Sequence, residues 1–285
     1  MLNISSEKLC YGTMTFGDRG IFNGIGFNDE KSAIDLVHFF YDAGVRKYDT
    51  AYGYSDGISE IMLGNALKSY NDIYISSKVS KSIHGNKEVD LSFKNIVHSC
   101  ETSLKNLSVD VIDLFYLHSF DPSVPIVESV SALEWLCDHQ MIREYGVCNF
   151  TAYQLLKTIN TGTKRFTSVQ YKCSFLEKNY TWDIVNMAHE NEISIYGYSV
   201  LAGGLLTGKY LRNPTQKNYR LNRSGIKIKD EHMYKTRALY TLAQYLDMPI
   251  EKLAISSIIS DLDYIIIGAS NIQQAEYLMG VFKNG

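Results

Sequence analysis

The chain has 285 residues, of which 45% are hydrophobic and 21% are charged, and its formal net charge is −3. These values are typical of a soluble globular protein with a large core, and the mild acidity argues against a nucleic-acid partner. No apolar run approaches the roughly 20 residues needed to span a bilayer, and the N-terminus lacks the features of a signal peptide. Five scattered cysteines without a C-x-x-C pair predict reduced thiols and no metal site. We therefore expect a cytoplasmic protein without a membrane partner.

Short apolar or β-branched runs alternate with helix-like segments along the whole chain. The predicted strands cover residues 9–14, 46–49, 73–78, 111–118, 144–149, 167–172, 194–199 and 264–267. The first helix is expected to begin after Asn28 or Asp29 and to end at Gly44, because Asn and Asp cap helices and Gly terminates them. Further helices are expected at about 59–67, 90–107, 230–246, 251–260 and 272–282, and one after Pro125.

Eight strands that alternate with helices predict a parallel α/β fold, either a closed (β/α)8 barrel or an open doubly wound sheet. A dinucleotide-binding open sheet should carry G-x-G-x-x-G after its first strand, but Gly24-Ile25-Gly26 lacks the third glycine and lies well past that strand. We therefore predict a single (β/α)8 TIM barrel over residues 1–285, with its active site at the C-terminal ends of the strands. Residues 203–229 are predicted to form a long functional loop, and the lysine-rich pieces 78–87 and 220–229 are interpreted as solvated loops.

Four ionisable side chains lie at or just after the ends of three consecutive predicted strands. Asp49 ends the second strand, Tyr54 follows in the next loop, Lys78 ends the third strand and His118 ends the fourth. Each residue alone has an ordinary structural explanation, but a barrel brings the C-terminal ends of its strands onto one face. Their common position therefore predicts an active site.

The motifs around these residues, together with others in the same order, resemble the aldo-keto reductase superfamily over nearly the whole chain. The matching segments are Gly12-Thr13-Met14, Asp49-Thr50-Ala51-x-x-Tyr54, Ser59-Glu60-x-x-Leu63-Gly64, Asp110-x-x-Asp113-Leu114 with Leu117-His118, 146–150, Val169-Gln170, Tyr198-Ser199-x-Leu201, 204–210 and Gly268-Ala269-Ser270. The resemblance implies an oxidoreductase that reduces an aldehyde or ketone, such as a sugar or another polar carbonyl, by hydride transfer from a nicotinamide cofactor. Its partner is then a small-molecule carbonyl or alcohol.

The chemistry of carbonyl reduction fits the four residues. A phenol with a pKa of about 10 is a weak acid near neutrality unless its anion is stabilised. A nearby lysine ammonium stabilises that anion, and a buried carboxylate keeps the lysine charged. The resemblance thus implies Tyr54 as proton donor, Lys78 as its cationic neighbour, Asp49 as the partner of Lys78, and His118 as a group that orients the substrate oxygen.

The resemblance also implies a set of cofactor contacts at the strand ends and in the loop after the seventh strand. These are Gly12, Thr13, Met14, Asp49, Cys148, Asn149, Gln170, Tyr198, Ser199, Leu201, Gly203, Leu205, Lys209, Arg220, Gly268, Ala269, Ser270 and Gln274. Within this set, Asn149 and Gln170 would bind the nicotinamide carboxamide and Tyr198 would stack on the ring. Family habit favours NADP(H). NAD(H) is the second candidate because Ser270 and Gln274 stand where a basic residue often binds the 2′-phosphate.

Substrate contacts are expected from six residues near the mouth of the barrel, namely Phe16, Phe22, Tyr54, His118, Ser119 and Phe120. With eight residues before the first strand and a chain end soon after the last helix, the N-terminal hairpin and the C-terminal substrate loop of the family are expected to be short or absent.

Two other functions remain open at this point. One is a cofactor-binding regulatory or redox-sensing subunit with little turnover, like the potassium-channel β-subunits that resemble this family. The other is a barrel aldolase in which Lys78 forms a Schiff base, since a lysine at a strand end also suits that chemistry. The oligomeric state is not predicted.

Overall fold

The fold was obtained as a computed structural model, which describes residues 4–79 and 89–283. At its centre, eight parallel strands form a closed barrel in chain order. They are β1 (Leu9–Gly12), β2 (Lys47–Asp49), β3 (Tyr74–Val79), β4 (Ile112–Leu117), β5 (Ile142–Cys148), β6 (Phe166–Lys172), β7 (Ser194–Tyr198) and β8 (Tyr264–Ile267). The barrel closes where β1 pairs with β8, with Leu9 opposite Ile265. The predicted (β/α)8 barrel is confirmed, and every strand begins and ends within two residues of its predicted bounds.

Helices connect successive strands. They are α1 (Glu30–Asp42), α2 (Ile58–Leu67), α3 (Phe93–Leu107), α4 (Ile126–Asp138), α5 (Ala152–Thr161), α6 (Trp182–Glu190), α7 (Lys209–Arg212), α8 (Arg220–Arg223), α9 (Asp230–Tyr245), α10 (Ile250–Ser256) and α11 (Ile272–Lys283). The start and end predicted for α1 are correct. The Asp29 side chain accepts a hydrogen bond from the Ser32 backbone amide at the start of the helix, and Gly44 follows its end with φ +95°. No helix in residues 4–79 or 89–283 is long and apolar enough to cross a membrane.

The apolar side chains form a main core, which joins outward-facing strand residues to the inner faces of the helices. Smaller clusters lie among the side chains of several strands, one of them made of Leu114, Tyr116 and Cys148. At the N-terminal end of the strands, the Lys47 ammonium lies 3.9 Å from the centroid of the Tyr74 ring, and the Tyr74 hydroxyl donates to Glu144 at 3.1 Å. These contacts occupy the end of the barrel opposite to the predicted active site.

The prediction that residues 203–229 form a loop without regular structure is wrong in part. The segment begins within a 3-10 helix (Ala202–Thr207) and contains α7 and α8. Leu206 and Tyr210 anchor it, because both are buried in a second apolar cluster that includes Leu239 from α9. Helices of four residues are too short to show helical periodicity in a sequence, which explains the error.

The structure leaves one part of a prediction untested. Residues 80–88, which include most of the lysine-rich piece 78–87, lie outside the described residues.

Candidate active site

The second and third strands end in a buried ion pair. The Lys78 ammonium donates to Asp49 Oδ2 at 2.6 Å and to the Thr50 carbonyl oxygen at 2.6 Å, and the Lys78 side chain has no exposed surface. Burial lowers the pKa of Lys78, but the Asp49 carboxylate and the Tyr54 phenol outweigh this effect, so the pKa lies above its ordinary value. Lys78 is therefore a fixed positive charge. This argues against the aldolase hypothesis, because a Schiff base requires a neutral amine.

Two further side chains fix the other oxygen of the Asp49 carboxylate. Ser76 Oγ donates to Asp49 Oδ1 at 2.9 Å, and Gln170 Nε2 donates to the same oxygen at 3.0 Å. Ser76 lies two residues before Lys78 on β3, so both side chains point to the same face of the strand. The carboxylate is thus satisfied on both oxygens, which holds the ion pair in one geometry.

Tyr54 begins a 3-10 turn (Tyr54–Gly57) that lies in the loop between β2 and α2. Ser55 and Asp56 in this turn have φ values of +49° and +56°, so the chain reverses sharply between the strand end and α2. The centroid of the Tyr54 ring lies 5.1 Å from Lys78 Nζ. Burial raises the pKa of Tyr54 to about 12, against the opposing effect of the Lys78 ammonium. The phenol is therefore protonated near neutral pH and can act as an acid.

The rings of His118 and Phe22 both pack against the ring of Tyr54. The His118 ring centroid lies 5.7 Å from that of Tyr54, and the Phe22 centroid lies 5.4 Å from it, both edge to face. Burial and the Lys78 ammonium lower the pKa of His118 to about 3, so its imidazole is neutral. Its Nδ1 is buried and has no hydrogen-bond partner within the described residues. Such a polar atom is costly to leave unpaired, and it suits a ligand contact.

Asn149 links the ends of four neighbouring strands. It follows β5 with φ +61°, and its backbone N–H donates to the backbone carbonyl of Gln170 at 3.0 Å. Its side chain accepts a hydrogen bond from the Tyr198 hydroxyl at 3.1 Å and donates to the His118 carbonyl at 3.4 Å. The structure therefore brings three of the predicted contacts, Asn149, Gln170 and Tyr198, to the same side of the mouth as His118.

The 203–229 segment reaches the loop that follows β1. Arg220 Nη2 lies 3.9 Å from Met14 Sδ, and Arg223 Nη2 donates to the Ile25 carbonyl at 3.0 Å. Burial lowers the pKa of Lys209, and the charges of Arg220 and Arg223 lower it further. In the described part of the chain, no carboxylate lies within ion-pair distance of these three cations. They form a positive region that suits an anionic ligand.

Three of the predicted contacts, Phe16, Cys148 and Thr13, have no exposed surface. Phe16 is buried against Tyr11 and Phe27 in the main core. Cys148 packs inside the barrel, and Thr13 uses its hydroxyl to contact Ser59 at 2.8 Å. These residues can support the loops and strands that carry the site, and their contacts with a ligand stay predictions. Phe120 is partly exposed and packs edge to face on Phe150.

The predicted contacts after β8 lie beside β1. The Tyr11 hydroxyl donates to the Ala269 carbonyl at 3.1 Å, and the Ser270 amide donates to Gln274 Oε1 at 3.1 Å. The Gln274 side chain is therefore used to cap its own turn. Within the described residues, the hydrogen bonds of Ser270 and Gln274 involve no cationic side chain.

Sequence reasoning missed three contributors to the site, namely Ser76, the Thr50 carbonyl and Arg223. The period of two along β3 could have identified Ser76, since it shares a face with Lys78. No sequence signal distinguishes Arg223 from the other charges of the 203–229 segment, because its contact with Ile25 depends on the path of two loops.

Comparisons with known proteins agree with this geometry. The family model described as Aldo/keto reductase family matches residues 8–284. A protein of Oryza sativa subsp. japonica that bears the name of a voltage-gated potassium channel subunit beta is 27% identical over 287 residues, which are 94% of this chain and 85% of that protein. Aldo-keto reductase YhdN of Bacillus subtilis is 33% identical over 210 residues, which are 72% of this chain and 62% of YhdN.

Solved structures show the same architecture. A glycerol dehydrogenase from Gluconobacter oxydans superposes with a TM-score of 0.82 at 25% identity, covering 96% of this chain and 86% of that chain. The closed barrel with its cluster of ionisable residues at the strand ends places the protein in the (β/α)8-barrel class. Because the family model spans nearly the whole sequence, the chain belongs to the aldo/keto reductase family, as its motifs predict.

Proposed function

We propose that this protein is a carbonyl reductase that uses a nicotinamide cofactor and takes its proton from Tyr54. The observation that carries the proposal is the buried ion pair of Asp49 and Lys78, with the protonated phenol of Tyr54 and a neutral His118 beside it. A protonated phenol next to a fixed ammonium is a proton donor whose anion is stabilised after transfer. The ammonium in turn is held charged by Asp49.

The residues along one side of the mouth fit a nicotinamide dinucleotide. The Asn149 amide can pair with a carboxamide, the partly exposed Tyr198 ring can stack, and the cations Lys209, Arg220 and Arg223 suit a pyrophosphate. When bound in its reduced form, the cofactor supplies the hydride. We favour NADP(H), which is present in two Klebsiella pneumoniae aldo-keto reductase structures that share this fold at 19% and 20% identity, with NAD(H) second.

The protein's own groups then act on the substrate oxygen. Tyr54 and His118 meet edge to face at the mouth. A carbonyl oxygen bound within reach of both side chains would accept a hydrogen bond from the phenol. As hydride reaches carbon, negative charge develops on that oxygen, and the Tyr54 proton neutralises it. Lys78 stabilises the phenolate that remains, because it lies close to the ring in a water-poor site. Asp49 acts on the reaction only through Lys78.

The proposed substrate is a polar carbonyl, such as a sugar or a small hydroxyaldehyde. The glycerol dehydrogenase among the solved relatives acts on a small polyol, which supports this choice. Phe22 supplies one apolar wall, since it packs on Tyr54 at the mouth. Ser119 follows His118 and is partly exposed, which keeps it as a proposed substrate contact. A single domain over residues 1–285 and a cytoplasmic location stay predictions.

A second candidate function is a cofactor-binding regulatory or redox-sensing subunit with little turnover. Two relatives favour it, because the proteins from Oryza sativa subsp. japonica and Arabidopsis thaliana at 27% and 26% identity bear the names of potassium-channel β-subunits. Both candidates need the cofactor. They differ in whether the bound cofactor turns over repeatedly with a free carbonyl.

The test of the proposed function is a calorimetric titration with NADPH and NADH separately, followed by a panel of carbonyls with the tighter cofactor. We expect binding of NADPH, and repeated turnover of at least one polar aldehyde with a KM in the range of about 1 μM to 1 mM. Binding without turnover over the whole panel would favour the regulatory subunit. If neither cofactor bound, both candidates would be wrong.

The pH dependence should differ between the two directions of the reaction. Because the pKa of Tyr54 is about 12 and that of His118 about 3, neither group titrates between about pH 6 and 9, and kcat/KM for reduction should be nearly flat there. Alcohol oxidation needs the phenolate, so its kcat/KM should rise about tenfold per pH unit. Initial rates in both directions test this. A reduction rate that falls about tenfold per unit above pH 6.5 would instead identify protonated His118 as the acid.

A further inference from the structure

The Tyr198 hydroxyl makes a contact that ring stacking does not require. Tyr198 is the last residue of β7, and its ring is partly exposed at the mouth. Its hydroxyl reaches across the end of β6 and donates to Asn149 Oδ1 at 3.1 Å. Burial raises the pKa of Tyr198 to about 12, so the hydroxyl remains a donor near neutral pH. Stacking on a flat ligand needs only the ring, which leaves the hydroxyl free for another purpose.

The partners of Asn149 fix which way its amide points. The His118 carbonyl can only accept a hydrogen bond, so the side of the amide that faces it must be Nδ2. Oδ1 then faces the Tyr198 hydroxyl, which donates. The reversed amide would place Oδ1 against the His118 carbonyl oxygen, and these two acceptors repel each other. It would also place Nδ2 against the Tyr198 hydroxyl.

The backbone of Asn149 is fixed as well. Its φ of +61° lies in the left-handed region that asparagine tolerates, and its N–H donates to the Gln170 carbonyl at 3.0 Å. The amide is therefore held from the backbone and from both of its polar ends. One hydrogen on Nδ2 and one lone pair on Oδ1 remain for a ligand.

We propose that Tyr198 is a positioning residue whose hydroxyl orients the Asn149 amide to pair with a primary carboxamide. The inference rests on the proposed function, because the nicotinamide carboxamide is the ligand. Along one edge, a primary carboxamide offers one acceptor and one N–H donor, which match the remaining donor and acceptor of Asn149. A methyl ketone in the same place keeps the acceptor but lacks the N–H. Without the Tyr198 hydroxyl, the Asn149 amide is held only by the contact of Nδ2 with the His118 carbonyl at 3.4 Å, so Oδ1 can rotate away from the ligand donor.

The variant Tyr198→Phe keeps the ring and removes only the hydroxyl. Calorimetric titrations would compare NADPH with its 3-acetylpyridine analogue, which has a methyl ketone in place of the carboxamide. We expect wild-type protein to bind NADPH more tightly than the analogue. Tyr198→Phe should lower the affinity for NADPH by about three- to tenfold and change the affinity for the analogue by less than about twofold. The selective loss separates orientation of the amide from stacking and from general damage to the fold.

Three further substitutions make the test specific. In an Asn149→Gly background, which preserves the backbone conformation, Tyr198→Phe should have no additional effect on NADPH affinity, because the two residues act as one unit. Tyr198→Leu, which also removes the ring, should lower the affinity for both ligands. Tyr153→Phe removes an exposed hydroxyl on α5 and should change neither affinity.

Three results would overturn the proposal. An equal loss for both ligands in Tyr198→Phe would assign the hydroxyl a purely structural role. Unchanged affinity for NADPH would show that the hydroxyl is not used. Additive effects of Tyr198→Phe and Asn149→Gly would show that the hydroxyl does not act through Asn149. Failure of wild-type protein to bind either ligand is a separate outcome, which overturns the proposed function itself.

Discussion

Replacement of Tyr54 by phenylalanine is expected to lower kcat for carbonyl reduction by about 100- to 10,000-fold. The aromatic ring remains, so its contacts with Phe22 and His118 are kept. The proton donor is lost, and the developing negative charge on the substrate oxygen has no acid to neutralise it. The Kd for NADPH should stay within about threefold, because the phenol acts on the reacting oxygen. Steady-state kinetics and a calorimetric titration of the same preparation measure both quantities.

Tyr52→Phe is the matched control for this prediction. It removes a phenol from the same loop, two residues before Tyr54, and the Tyr52 backbone donates to the Lys78 carbonyl through its N–H, which the substitution leaves intact. Its kcat should remain near the wild-type value. A Tyr54→Phe enzyme that turns over at the wild-type rate, or a Tyr52→Phe enzyme that does not, would contradict the role of Tyr54 as the acid.

The positions of the proposed catalytic residues could be predicted because they depend on strand ends. A parallel barrel places the ends of β2, β3 and β4 on one face, so Asp49, Lys78 and His118 had to approach one another once the strands were located. The contact of 2.6 Å between Lys78 and Asp49 joins inward-facing residues near the ends of two adjacent strands. Asp49 is the last residue of β2, and Lys78 is the last but one of β3. Only local patterns were needed for this part of the site.

Side-chain direction within loops could not be predicted in the same way. Phe16 and Phe22 lie in one glycine-rich loop and look equivalent in the sequence, yet Phe16 is buried against Tyr11 while Phe22 packs on Tyr54. The difference depends on the three-dimensional path of the loop, including φ +83° at Gly17. For Cys148, the sequence motif indicates a position beside Asn149, but the alternation along β5 turns its thiol into the barrel.

The 203–229 segment illustrates a second limit. Its polar composition predicted a loop, and its contacts with Met14 and Ile25 show that it folds toward the β1 loop. Those contacts join residues about two hundred positions apart, and each is made by one arginine side chain. Hydrophobic periodicity, which located the strands and long helices, contains no information on such contacts.

Removal of one partner of the buried ion pair should affect stability and catalysis together. Lys78→Met would leave the Asp49 carboxylate buried without its cation, with only Ser76 and Gln170 as donors. An unpaired buried charge costs about 3–5 kcal/mol, so the free energy of unfolding in urea should fall by about that amount. The kcat should also fall by at least about 100-fold, because no ammonium remains to stabilise the Tyr54 phenolate.

The double variant Asp49→Asn with Lys78→Met separates these two effects. Both charges are gone, so no uncompensated ion remains, and the free energy of unfolding should recover most of the loss seen in Lys78→Met, since neutral replacement of a buried pair is often nearly neutral for stability. Turnover should not recover, because catalysis requires the ammonium itself. A double variant that is as unstable as Lys78→Met would mean that packing, and not the unpaired charge, causes the loss. Restored turnover would remove Lys78 from the mechanism.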